Sequence, residues 1–115
     1  MIYAVLIILA VLVVYKIMFS RADITRSEMI SMVQKGGKLI DVRSAGEYRA
    51  GHLSGAVNVP VDSLPDGISS LGLSSDTVII LYCASGMRSA SAKQILKRAG
   101  YTNVLNGGAM RALAQ

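Results

Sequence analysis

The stretch Thr77-Val78-Ile79-Ile80-Leu81-Tyr82 constrains the fold more than any other part of the chain. Successive residues of a strand face opposite sides of its sheet, so a half-exposed strand alternates apolar and polar side chains. This run is β-branched and apolar in both registers, which predicts a parallel strand covered on both faces. Such a strand needs helices on either side. One follows directly: from Arg88 or Ser89 to Ala99, residues Ala90, Ala92, Ile95, Leu96 and Ala99 share one side, with Lys93, Lys97 and Arg98 elsewhere. Gly100 ends that helix.

The same alternation runs through the rest of the chain. Ser27 to Lys35 carries Met29, Ile30, Met32 and Val33 at helical spacing and stops at Gly36-Gly37. Lys38 to Val42 reads as a buried strand, Ala45 to Ala50 as one or two helical turns, and Ala56 to Val59 as a short strand stopped by Pro60. Pro65-Asp66-Gly67 is a turn signal, and a short helix is expected around Asp62 to Leu71. Thr102 to Leu105 reads as a last strand, and Ala109 to Gln115 as a closing helix after Gly107-Gly108. Strands alternating with helices predict an α/β domain with a central, mainly parallel sheet flanked by helices.

One segment falls outside this pattern. Ile2 to Phe19 is apolar apart from Tyr3, Tyr15 and Lys16. Eighteen residues make a helix of about 27 Å, near the lower limit for crossing a bilayer, and Lys16 can extend its ammonium to the headgroups. This run explains a mean hydropathy of +0.48 and a hydrophobic content of 52%, both high for a soluble domain of ordinary composition. No basic residue precedes it, and the following Lys-Ile-Met-Phe-Ser-Arg offers no good Ala-x-Ala site, so it reads as an uncleaved anchor rather than a cleaved secretory signal. The expected organisation is a transmembrane helix over 1–19, a polar linker over 20–23 and one domain over 24–115. Lys16, Arg21 and Arg26 flank the helix on its C-terminal side, which predicts a single-pass protein of the cell membrane with the domain in the cytoplasm.

From Ser20 onward the chain has eleven basic and seven acidic residues. A mildly basic surface suits small anions or an anionic membrane face. The basic residues are dispersed and no aromatic-rich RNA-binding motif accompanies them, which argues against nucleic acid. Cys83 is the only cysteine and His52 the only histidine, so neither an internal disulfide nor a Cys/His metal centre can form.

The chemistry converges on Cys83-Ala84-Ser85-Gly86-Met87-Arg88, between the principal strand and its helix. Open α/β sheets place ligands at this edge. Loop amides and the free N–H groups opening the helix form a cradle for an anion. A cysteine sulfur within it has a lowered pKa, which favours the nucleophilic thiolate. Arg88 adds a positive charge and a planar donor set, Gly86 permits unusual backbone geometry, and small Ala84 and Ser85 leave the mouth open. Ser89 has two readings: its hydroxyl serves the loop, or it caps the helix.

Three motifs, in order, cover nearly all of Ile24 to Leu113. The first is Leu39-Ile40-Asp41-Val42-Arg43 with Glu47-Tyr48 and Gly51-His52-Leu53-Ser54-Gly55-Ala56-Val57-Asn58-Val59-Pro60. The second is the Cys83–Arg88 loop with Ser89, and the third is Asn103-Val104-Leu105-Asn106-Gly107-Gly108. Together they resemble the rhodanese family of thiosulfate sulfurtransferases. The resemblance implies a ping-pong transfer with Cys83 as catalytic nucleophile and with a small anionic donor such as thiosulfate bound by Ala84, Ser85, Gly86, Met87, Arg88 and Ser89. A Cys83 persulfide then passes its sulfur to an outside thiophilic acceptor, cyanide in assays. No metal and no organic cofactor is implied. Asp41 and Arg43 are expected to support neighbouring loops, Glu47 to be structural or at the rim, and His52 to be architectural. Many members carry tryptophan soon after the Gly-Gly pair; this chain has none, and Met110 or Leu113 is expected to take its packing role.

Two rival readings remain. Phosphatases and arsenate reductases of similar fold have five residues between Cys and Arg, whereas Ala84 to Met87 supplies four, and Tyr82 stands where phosphatases have His. A membrane-tethered persulfide relay or regulatory binding module is the more serious alternative, although such inactive members usually lose the cysteine that this chain keeps.

Overall fold

The computed structural model describes residues 1–114 of the 115-residue chain. Eleven elements follow one another: α1 (Ile2–Ser20), α2 (Arg26–Gln34), β1 (Lys38–Asp41), α3 (Ala45–Ala50), β2 (Val57–Asn58), a 3-10 turn (Val61–Ser63), α4 (Asp66–Ser69), β3 (Ile79–Cys83), α5 (Met87–Arg98), β4 (Val104–Ala109) and α6 (Met110–Leu113). The four strands form one parallel sheet in the order β2-β1-β3-β4. This is the expected α/β architecture, with the principal strand inside the sheet.

Alternation along β3 builds two cores. Ile79, Leu81 and Cys83 face one side, where they join Ile40, Val42, Ile68, Ala92, Leu96 and Val104. Ile80 and Tyr82 face the other, against Met29, Leu39, Leu53 and Leu113. All five residues of β3 are fully buried, as a run apolar in both registers requires. Cys83 thus belongs to the sheet and points to the α5 side.

Several boundaries differ from the sequence expectation, each for a local reason. β3 starts at Ile79 because Thr77 is tied into a turn: its N–H donates to Ser74 O at 3.2 Å and its hydroxyl meets that of Ser74 at 2.8 Å. The helix expected over Asp62 to Leu71 is two short pieces, since Pro65 pushes Leu64 into an extended conformation (ψ 148°). β2 is confined to Val57–Asn58. α2 begins at Arg26, fixed by a capping box in which Thr25 accepts from the Glu28 amide and Glu28 accepts from that of Thr25.

β4 runs through the Gly107-Gly108 pair rather than stopping at Leu105. Leu81 pairs with Asn106 and Tyr82 with Gly108, so Gly107 is an extra residue in a bulge. A Cβ at Gly107 would lie 3.0 Å from the Leu113 side chain and from Leu81 O. Leu113 is buried there and Met110 packs on the same core, the role expected for them. The closing helix ends at Leu113, and Gln115 lies outside the described residues.

α1 is exposed along most of its length and is long and apolar enough to cross a membrane, with a mean hydropathy of 2.7. The residues read as a linker, Ser20 to Asp23, are docked on β4. Asp23 N–H donates to Asn106 O at 2.8 Å, the Asn106 N–H donates to Asp23 Oδ2 at 2.7 Å, and Lys93 Nζ meets the same carboxylate oxygen at 2.6 Å.

Candidate active site

α5 starts at Met87, one or two residues earlier than the periodicity suggests, and Gly86 is its N-cap. The turn from β3 is therefore only Ala84-Ser85-Gly86. A glycine cap offers no side chain to the orphan amides of the first turn. The sulfur of Cys83 takes that place. Sγ accepts from the Gly86 amide at 3.0 Å and from the Ser89 amide at 3.5 Å. Gly86 reaches this geometry with φ +94°, in the left-handed region that glycine tolerates.

Burial pushes the Cys83 thiol up, but its contact with the Ser89 hydroxyl and the hydrogen bonds from the Ser89, Ser85 and Gly86 amides outweigh it, and the pKa falls below its ordinary value. The helix dipole adds to this preference for thiolate. The mouth is not open above the sulfur: Cys83 is fully buried. Ala84, Ser85 and Met87 lie exposed on the outer side of the turn, and Gly86 is buried beneath Ser20 and Gly108.

Ser89 is the third residue of α5, so it serves the loop and not the cap. Its hydroxyl donates to Asn106 Oδ1 at 2.7 Å and stands 3.5 Å from Sγ. Asn106 also accepts from the Gly108 amide at 2.9 Å, and its Nδ2 points to Ser20 O and Gly86 O, each at 3.4 Å. One buried amide side chain thus ties the reactive turn, the β4 bulge and the end of α1 together. Sequence reasoning did not single out Asn106. Its signal was a polar residue at a position where a buried parallel strand would otherwise be apolar.

Arg88 does not stand free. Nη1 and Nη2 donate to Glu47 Oε1 and Oε2 at 2.6 and 3.0 Å, an end-on bidentate pair. The Arg88 bonds and the Ser44 amide hold the Glu47 carboxyl down at about 2, and the same pairing raises Arg88. Oε1 of Glu47 also closes the capping box of α3, accepting from the Ser44 amide and hydroxyl at 3.1 Å each.

Asp41 and Arg43, the expected supporting pair, form a buried network with Tyr82. Asp41 is fully buried and accepts from Arg43 Nη2 and from the Tyr82 hydroxyl at 2.8 Å each. Arg43 reaches on to Gly51 O at 2.7 Å, and Tyr82 accepts from the Leu53 amide at 3.1 Å. Asn58 Nδ2 donates to Asp41 O and Arg43 O at 2.9 and 3.0 Å. These bonds clamp the turns after β1 and α3. His52 stacks on Tyr48 at 3.7 Å between ring centroids, with Nδ1 2.9 Å from Tyr48 O. Among the described residues no cluster of three or more His, Cys, Asp or Glu side chains could hold a metal ion. An apolar cleft of about 470 Å³ between α2 and α6, lined by Met29, Ile30, Val33 and Leu53, contains none of the turn residues.

The profile of the Rhodanese-like domain matches residues 25–111. Thiosulfate sulfurtransferase PspE of Escherichia coli is 35% identical over 75 residues, 65% of this chain and 72% of that protein. The uncharacterised protein YqhL of Bacillus subtilis is 36% identical over 69 residues, 60% of this chain and 53% of that protein. Among solved structures, the human single-domain sulfurtransferase TSTD1 superimposes with a TM-score of 0.70 at 29% identity, covering 82% of this chain and 96% of that one.

Proposed function

The chain belongs to the rhodanese family, and from that membership we propose that it is a sulfurtransferase carrying sulfane sulfur on Cys83, tethered to the cell membrane by α1. The observation that carries this reading is the position of Sγ, buried at the head of α5 and accepting two backbone amides. That environment stabilises charge on sulfur, whether thiolate or persulfide.

The Cys83 thiolate attacks the outer sulfur of thiosulfate. The sulfur–sulfur bond of the donor breaks, sulfite leaves with the bonding pair, and Cys83 becomes a persulfide. A thiophilic acceptor then attacks the terminal sulfur and releases the thiolate. In this reading the Gly86 and Ser89 amides stay on the sulfur, while the Ala84, Met87 and Arg88 amides and the Arg88 guanidinium are offered to the donor's oxygens. Cys83 is the only cysteine, so the persulfide is discharged to an outside molecule.

An uncleaved anchor is supported by the way the chain continues: Ser20, Ala22 and Asp23 are part of the packing around β4 and Gly86. With Lys16, Arg21 and Arg26 on that side, the domain faces the cytoplasm. Thiocyanate production from thiosulfate and cyanide tests the reaction. Activity is expected in the wild type and none in Cys83→Ser; a wild type as inert as the variant would favour a relay or binding module. A reporter fused after Gln115 that works only outside the cell would reverse the orientation.

A further inference from the structure

Three cations around the Cys83 turn are paired: Arg88 is bidentate with Glu47, Arg43 is locked to buried Asp41, and Lys93 meets Asp23. Arg21, which follows the Ser20 carbonyl lying over Gly86, is in none of these pairs. Arg88 is the cation whose own backbone lies in the first turn of α5, directly after the reactive turn. A donor arriving at Cys83 meets backbone dipoles and a guanidinium whose charge is already compensated.

We propose that Glu47 is a specificity residue, and that its pairing with Arg88 removes net positive charge from the mouth and lowers the site's preference for dianionic over monoanionic sulfur donors. This rests on the sulfur-transfer reading above and extends it to the class of donor. Stability alone gives the ion pair little purpose. Both side chains are more than a third exposed (38% and 37%), where solvent screens such a pair. The capping box of α3 needs only Oε1, which already accepts from Ser44. The second oxygen serves Arg88 alone, at 3.0 Å. End-on pairing also leaves Nε–H and one N–H on each terminal nitrogen of Arg88 for a donor's oxygens. The guanidinium thus stays a hydrogen-bond donor while its charge is offset.

Glu47→Gln removes the charge while its one amide oxygen can still complete the capping box and accept from Arg88 Nη1; its NH2 cannot accept from Nη2, so the second bond is lost with the charge. The full chain in detergent is assayed with thiosulfate, a dianion, and with benzenethiosulfonate, a monoanion that gives up its outer sulfur as benzenesulfinate leaves. In a ping-pong reaction kcat/KM for the donor does not contain the acceptor step. Glu47→Gln is expected to raise the thiosulfate-to-benzenethiosulfonate ratio of kcat/KM by about threefold to tenfold at low ionic strength, chiefly through KM, with the gain shrinking as salt is added. An unchanged ratio, or an equal fall with both donors, would overturn the proposal and leave Glu47 a structural residue. A second readout needs no turnover: the ratio of Cys83 alkylation rates by iodoacetate and iodoacetamide rises in the variant if the field has changed, and stays fixed if it has not. Should the wild type transfer sulfur from neither donor, the sulfur-transfer reading fails, while the alkylation ratio still decides the role of Glu47.

Discussion

Gly86 and Gly36 both have left-handed backbones, with φ +94° and +101°, but their surroundings differ completely. A Cβ on Gly36 would meet nothing within 4 Å, whereas one on Gly86 would come within 2.7 Å of Ser20 O and 3.4 Å of Gly108 Cα. Gly36→Ala therefore costs only the left-handed strain of an L-residue, about 1–2 kcal/mol. Gly86→Ala costs the same strain plus overpacking against backbone, about 1–3 kcal/mol more, for roughly 2–5 kcal/mol in all. The second substitution also moves the amide that donates to Sγ at 3.0 Å, so it should lower sulfur transfer at least tenfold while Gly36→Ala leaves it unchanged. Urea unfolding of the full chain in detergent, followed beside the thiocyanate assay, measures both effects. Equal costs at the two positions, or a Gly86→Ala protein of wild-type stability and activity, would refute the claim that the end of α1 is packed onto the reactive turn.

Cys83 alkylation by iodoacetamide should rise with pH and level off with an inflection below that of a free cysteine thiol measured in parallel, because the thiolate is the form its hydrogen bonds favour. Ser89→Ala should move that inflection upward; a wild-type inflection at or above that of the free thiol would contradict the assigned environment. Arg43→Met leaves the Asp41 carboxylate buried without its partner and should cost about 3–5 kcal/mol in urea unfolding, with part of it recovered when Asp41→Asn is added. Asn106→Leu strips the buried Gly108 amide of its acceptor and leaves the Ser89 hydroxyl only Gly86 O at 3.2 Å, which should cost about 1–3 kcal/mol and expose residues 20–23 to limited proteolysis.

The fold was legible because its signals are local. A run apolar in both registers marks β3, and helical spacing with glycine stops marks α2 and α5. The place of Cys83 was equally plain, since it ends the strand and one short turn leads from it into the helix. What escaped were contacts between residues far apart in sequence. Glu47 and Arg88 are 41 positions apart, Tyr82 and Asp41 also 41, and Asn106 and Ser20 86. Sheet order brings these pairs together, and no periodicity records it. The Gly107 bulge was hidden for a related reason, because two glycines read as a stop unless the neighbouring strand continues. The cover over Gly86 and Gly108 arises in the same way: Ser20 and Ala22, unremarkable as sequence, pack against these two glycines.

If Cys83 holds the transferred sulfur, intact-mass analysis of the full chain after brief incubation with thiosulfate and removal of excess donor will show it. The expected result is a gain of one sulfur atom, localised to Cys83, absent in Cys83→Ser and lost on adding cyanide as thiocyanate appears. An unmodified wild-type chain under conditions where thiocyanate forms, or an adduct that survives cyanide, would contradict it.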